Sequence, residues 1–134
     1  MTLWLAGMLI TADRLNDYSL DDETTSGFTI ASGWTLNNFW ANRQGATVEM
    51  NLYVNRSGAD ITATSGNISD SAVGTVPSGW RPNSASTING TWDDGTATGG
   101  WVIGTDGICS LRTASSNITS GRNLRLHIVF NKEP

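Results

Sequence analysis

The chain has 134 residues, 15% of them charged, and a formal net charge of −4 at pH 7. That length fits one domain burying roughly two-thirds of its unfolded surface, and the acidic balance gives no electrostatic footprint for gripping phosphates, which excludes nucleic acid as a partner. A single cysteine, Cys109, excludes an internal disulfide framework and a Cys-based zinc site, while 15 glycines among many Ser, Thr and Asn suit short strands and tight turns.

In chain order, the first segment is apolar: Trp4, Leu5, Met8, Leu9 and Ile10 fall close together. The run from Leu3 to Ile10 is far shorter than the ~20 residues that span a bilayer, and no Lys or Arg precedes it as a signal peptide requires. No membrane partner is expected, and the protein is expected to be cytosolic when made. Thr11 is placed to cap a short turn that ends on Leu15, with Asp13 near its start. Asn16 to Ser26 carries Asp17, Asp21, Asp22 and Glu23 with almost nothing apolar, and reads as a solvated linker. Residues 1–26 therefore form an anchoring segment and linker, and residues 27–134 form the body.

From Gly27 onward the period is two. Ala46, Val48, Met50, Leu52 and Val54 alternate with polar residues, and Leu124, Leu126, Ile128 and Phe130 do the same, so both stretches predict half-buried antiparallel strands. Further strands are expected at 28–31, 34–42, 61–64, 72–76, 86–92, 101–103 and 108–113. Asn89-Gly90, Asp94-Gly95 and Asp106-Gly107 are candidate tight turns because each suits positive φ. Short strands at this spacing predict an antiparallel, jelly-roll-like β-sandwich. Cys109, inside one of them, reads as a small buried hydrophobe. Four Asn-x-Ser/Thr triplets, at Asn55, Asn67, Asn89 and Asn117, are what chance gives in so polar a chain.

Two prolines bracket Val76-Pro77-Ser78-Gly79-Trp80-Arg81-Pro82, fixing φ near −65° on either side of an aromatic and a cation, so this is a stiff bent connection. Downstream lies the strand-turn-strand unit Trp101 to Ile108, which contains Gly104-Thr105-Asp106-Gly107. Together these resemble the C-terminal β-sandwich of phage tail fibres and receptor-binding proteins. The opening run Trp4-Leu5-Ala6-Gly7-Met8-Leu9-Ile10-Thr11-Ala12-Asp13-Arg14-Leu15-Asn16-Asp17 resembles the N-terminus of small virion proteins from tailed phages and prophages of actinobacteria. The resemblance implies a homotrimeric tail fibre or spike in the virion, with Trp4, Leu5, Met8, Ile10 and Leu15 holding another virion protein through residues 1–20. It implies a distal knob that contacts the host surface, cell-wall glycan included. The chain departs from the long members in lacking a shaft between hook and body. Tail fibre, collar or capsid spike, and decoration protein without a receptor role therefore stay open.

Six tryptophans are many for this length, and an exposed indole stacks on sugar rings or receives cations. Trp34, Trp40, Trp92 and Trp101 suit the core or a trimer axis. Trp80, in the Pro-bounded turn, either meets a ligand or packs on a neighbouring subunit. Arg81 reads as structural, pairing with Asp93 or Asp94 or stacking on an aromatic. The ligand-contact candidates are Trp80, Arg81, Trp92 and Asp93. Asp93-Asp94-Gly95 lacks the alternating acids of a calcium loop and reads as a turn, and adjacent aspartates are weak as a glycosidase pair. His127, the sole histidine, stands on the polar side of its strand with no nucleophile motif near it. No catalytic, metal or cofactor constellation emerges, so the chain reads as a non-enzyme. A stand-alone lectin-like module is the alternative, and a hydrolase using Asp93 is the remote one.

Overall fold

A computed structural model of the chain describes residues 21–83 and 87–132. The apolar segment, its Thr11-capped turn and the proposed anchor residues Trp4, Leu5, Met8, Ile10 and Leu15 lie outside the described residues. Nine strands follow in order: β1 (Asp21–Thr24), β2 (Thr29–Ile30), β3 (Trp34–Gln44), β4 (Thr47–Arg56), β5 (Asn67–Thr75), β6 (Ile88–Asp93), β7 (Thr98–Ile103), β8 (Ile108–Thr113) and β9 (Asn123–Asn131). The fold is all-β and antiparallel, as the composition and alternation predicted. Hydrogen bonds join all nine strands into one sheet, ordered β1-β3-β4-β9-β6-β7-β8-β5-β2, rather than dividing them between two. The sheet curls until its ends approach: the Phe28 ring, just ahead of β2, lies 5.4 Å from that of Phe39 in β3.

The centre of the sheet is its most regular part. β4 and β9 pair without interruption from Thr47↔Asn131 to Asn55↔Asn123, with Val48, Met50, Leu52 and Val54 facing the core alongside Leu124, Leu126, Ile128 and Phe130. A two-residue loop joins β3 to β4. Gly45 takes φ 60° while Ala46 stays at negative φ, the pattern of a II′ turn that matches the twist of the strands it connects.

β6 and β7 build their share of the core differently. Their register sets Gly90 opposite Trp101 and Trp92 opposite Gly99. A Cβ on Gly90 would stand 2.5 Å from the Trp101 Nε1, and one on Gly99 would collide with the Trp92 indole. Each glycine thus leaves the space that an indole from the facing strand occupies. The two rings are 1% exposed, and each N–H is satisfied: Trp92 Nε1 donates to the Thr113 carbonyl at 3.0 Å, Trp101 Nε1 to that of Thr91 at 3.0 Å. Asn89-Gly90 is therefore mid-strand, not the turn expected, because the glycine serves ring packing.

Three further expectations change. Residues 21–24, read as part of the solvated linker, form β1 and pair with Ala41 to Gln44 of β3. This edge strand is acidic on both faces, so it carries no alternation to read, and its charges suit an edge that must resist pairing with other chains. The strand expected at 61–64 is reduced to the isolated bridges Ile61↔Ile118 and Thr64↔Asn67, the latter closed by Ser65 and Gly66 at φ 52° and 81°, a I′ turn. β7 begins at Thr98 instead of Trp101, since Gly99 and Gly100 are strand residues. Asp94-Gly95 and Asp106-Gly107 are turns as expected, with φ 90° and 83° at the glycines.

Candidate functional site

The Pro-bounded turn and the Gly104–Gly107 turn pack on each other. Val76 N–H donates to the Gly107 carbonyl at 2.9 Å, and Arg81 Nε donates to the Val76 carbonyl at 2.8 Å, its side chain lying where a Gly107 Cβ would be. Lys132 Nζ donates to the Arg81 carbonyl at 2.9 Å, and burial, followed by the nearby Arg43 charge, lowers the pKa of that amine. Arg81 is a structural clamp, as its sequence setting suggested, but its partner is a backbone carbonyl. The expected pairing with Asp93 or Asp94 is not formed. Trp80 is half-buried and packs against the core.

Strand alternation separates the other two ligand candidates. Trp92 points inward and is 1% exposed, so its ring offers no surface to a ligand, and its candidacy as a contact residue is corrected by burial against Gly99. Asp93 points outward, and its Oδ1 accepts the Gly95 N–H at 2.7 Å. Asp94 Oδ1 accepts the Ala97 and Thr96 N–H groups at 2.6 and 2.9 Å, and its Oδ2 meets Arg122 Nη1 at 2.6 Å. Burial opposes ionisation of this carboxyl, but the Ala97 and Thr96 N–H groups and the Arg122 guanidinium outweigh it and hold the pKa below its ordinary value. The acidic pair is thus consumed by a turn. No hydrogen bond, ion pair or ring contact joins Trp80 or Arg81 to Trp92 or Asp93 among the described residues.

The remaining reactive groups are also placed. His127 Nε2 lies 3.1 Å from Glu49 Oε1 on the outer face of β4 and β9, both side chains about half exposed. Beside them, Arg125 stacks over the Tyr53 ring at 4.7 Å. Cys109 is fully buried, and burial, followed by the Asp106 charge, pushes its thiol pKa far up, so the thiolate a nucleophile requires is not formed near neutrality. Among the described residues no three His, Cys, Asp or Glu side chains come together as a metal site. No helix there is long and apolar enough to cross a membrane.

Among the described residues, a concavity lies on the outer side of β6, β7 and β8. Trp101 and Ile103 of β7 point inward, so its outward positions are Thr98, Gly100 and Val102, and Gly104 follows just beyond the strand, leaving two positions without a side chain between Thr98 and Thr105 on that face. Neighbouring strands carry larger outward groups, Asn89 on β6 and Ile108, Ser110 and Arg112 on β8. The surface consequently dips along β7. It forms two adjoining hollows of about 360 and 460 Å³ that share Thr87, Val102 and Arg112 in their linings. Arg112 Nε is held by Asp70 Oδ1 at 2.7 Å. Sequence reading missed this groove entirely. The signal for it is the spacing Gly100-x-Val102-x-Gly104, which marks a depleted outer face once the inward phase of Trp101 is known.

Compared with known proteins, the chain matches no family model and shows no significant match to a curated protein.

Proposed function

We propose that this protein is a non-enzymatic structural component of a phage virion: a homotrimeric fibre or spike, made in the host cytoplasm, that projects from the particle and contacts the host surface. Residues 1–20 would hold another virion protein, and the β body would form the exposed knob. The observation that carries the contact role is the open groove along β7, set on an antiparallel sheet, while the acidic pair Asp93 and Asp94 is tied into a turn. The resemblance of residues 4–17 and of the Pro-bounded turn to phage proteins supports the virion setting. Trimerisation suits a body with few charges, because lateral packing adds burial worth roughly 25 cal/mol per Å² of apolar surface. Several weak contacts per particle then reach useful avidity through raised effective concentration.

Light scattering of the full chain tests the assembly, with a trimer expected. Deleting residues 1–20 is expected to abolish incorporation into particles while leaving the thermal unfolding midpoint nearly unchanged. The groove also favours a second reading, a stand-alone carbohydrate-binding module. A monomer that binds glycan in solution would establish that reading in place of the first.

A further inference from the structure

We propose that the groove along β7 binds a short, neutral pyranose oligosaccharide. Three properties of the groove select that chemistry. The first is its floor. Gly100 lets a ligand approach the backbone beside the Thr113 hydroxyl, the Asp106 carboxylate lies over Gly104, and Val102 with Ile108, the latter 43% exposed, supplies an apolar patch suited to the C–H face of a sugar ring.

The second is its rim. Among the described residues the Asn89 amide and the Ser110 and Thr105 hydroxyls have no hydrogen-bond partner, and Arg112, held through Nε by Asp70, keeps both Nη nitrogens without one. Amide, hydroxyl and guanidinium groups together offer the mixed donors and acceptors that vicinal hydroxyls require. A purely apolar ligand would strip water from these groups and return nothing. A peptide adding itself as a strand is also excluded, because β7 is paired on both sides, with β6 and β8, and has no free edge.

The third is charge. Asp70 and Asp106 set two carboxylates against the one Arg112 guanidinium, leaving one net negative charge in the lining. Asp106 is further committed to the Ile108 N–H at 3.0 Å. Phosphorylated, sulfated or acidic sugars are disfavoured by this balance. The outward run from Gly100 to Gly104 extends roughly 13 Å at about 3.3 Å per residue, the reach of a short oligomer and more than a single ring needs.

The inference deepens the attachment reading by naming the surface and the ligand class, and it rests on that reading only for where the sugar is met. Its test is calorimetric titration of the full chain with cellopentaose, maltopentaose and chitopentaose, with dextran sulfate as the anionic probe. At least one neutral oligosaccharide is expected to bind, and dextran sulfate is expected not to displace it. Gly100→Val and Ser110→Tyr fill the floor from adjacent strands, and each is expected to weaken binding by about tenfold or more with the unfolding midpoint retained. If Gly100→Val fails to fold, Ser110→Tyr, on an outward half-buried site, decides alone. Absence of binding to all three sugars, binding untouched by filling the groove, or preference for dextran sulfate would each overturn the proposal. Sugar binding that survives while trimers or particle association are absent would remove the virion reading and leave the groove assignment standing.

Discussion

The two halves of the sheet solve the same packing problem by opposite means. In β4 and β9, aliphatic side chains alternate cleanly and every inward position carries bulk. In β6 and β7, two indoles stand beside the buried Ile103, and the glycines opposite the rings make the room for them. The first half is tolerant in detail, since aliphatic residues of similar volume exchange at modest cost. The second is a fitted pair of rings in which even one methyl group is too many. The same economy of side chains on β7 opens the groove on the outside, so the half with the tighter interior also carries the recessed surface.

Substitutions can break this contrast. Trp92→Ala should produce the largest loss, about 3–5 kcal/mol, by leaving a ring-sized cavity and the Thr113 carbonyl without its donor. Leu52→Ala, at a site 1% exposed in the regular half, should cost about 2–5 kcal/mol by cavity formation alone. Gly99→Ala should cost about 1–3 kcal/mol or more, since its Cβ would meet both the Trp92 ring and the Thr113 carbonyl. Urea denaturation midpoints rank the three. A Gly99→Ala chain as stable as the parent would refute the fitted-ring account.

Gly100→Ala sharpens the same point, because it differs from Gly99→Ala by one position and by the face it occupies. Its Cβ would stand 3.2 Å from Thr113 Oγ1 at the surface, and the effect should stay within about 0.5 kcal/mol. Asp94 supplies the smallest, pH-resolved effect. Its folded pKa is depressed, so its contribution is fully present above the unfolded value near 4 and fades as pH falls through the lower folded value. Asp94→Asn should lower the unfolding midpoint at neutral pH and flatten its decline under acid, and an unaltered acid limb would count against the turn clamp.

Legibility in the sequence followed the same division. β4 and β9 could be read from alternation, since one face is buried and the other wet. β1 could not, because an edge strand exposed on both sides has no contrast to display. Gly90, Gly99 and Gly100 were misleading, as glycine signals a turn more often than a place kept clear for an indole. The repeated spacing Gly90-x-Trp92 and Gly99-x-Trp101 was the available clue. Trp92 and Asp93 looked like one site as chain neighbours, yet period two sends them to opposite faces. The groove depends on comparing outward residues across three strands, and that comparison needs a register no single segment contains.

The meeting of Phe28 with Phe39 has a mechanical consequence. Around most of the curl, neighbouring segments are fastened by backbone ladders, but where β2 meets β3 no ladder forms, and the short turn through residues 31–33, with Trp34 N–H donating to the Ala31 carbonyl at 3.3 Å, is backed by the Phe28–Phe39 ring contact. Such a seam can loosen through side-chain packing alone, without unzipping a ladder between β2 and β3. β2 is held to β5 by only two residue pairs under the Phe28 ring, so its amide hydrogens should exchange through local breathing long before those of β4 and β9, and Phe28→Ala should hasten that exchange while leaving the central strands as slow as before.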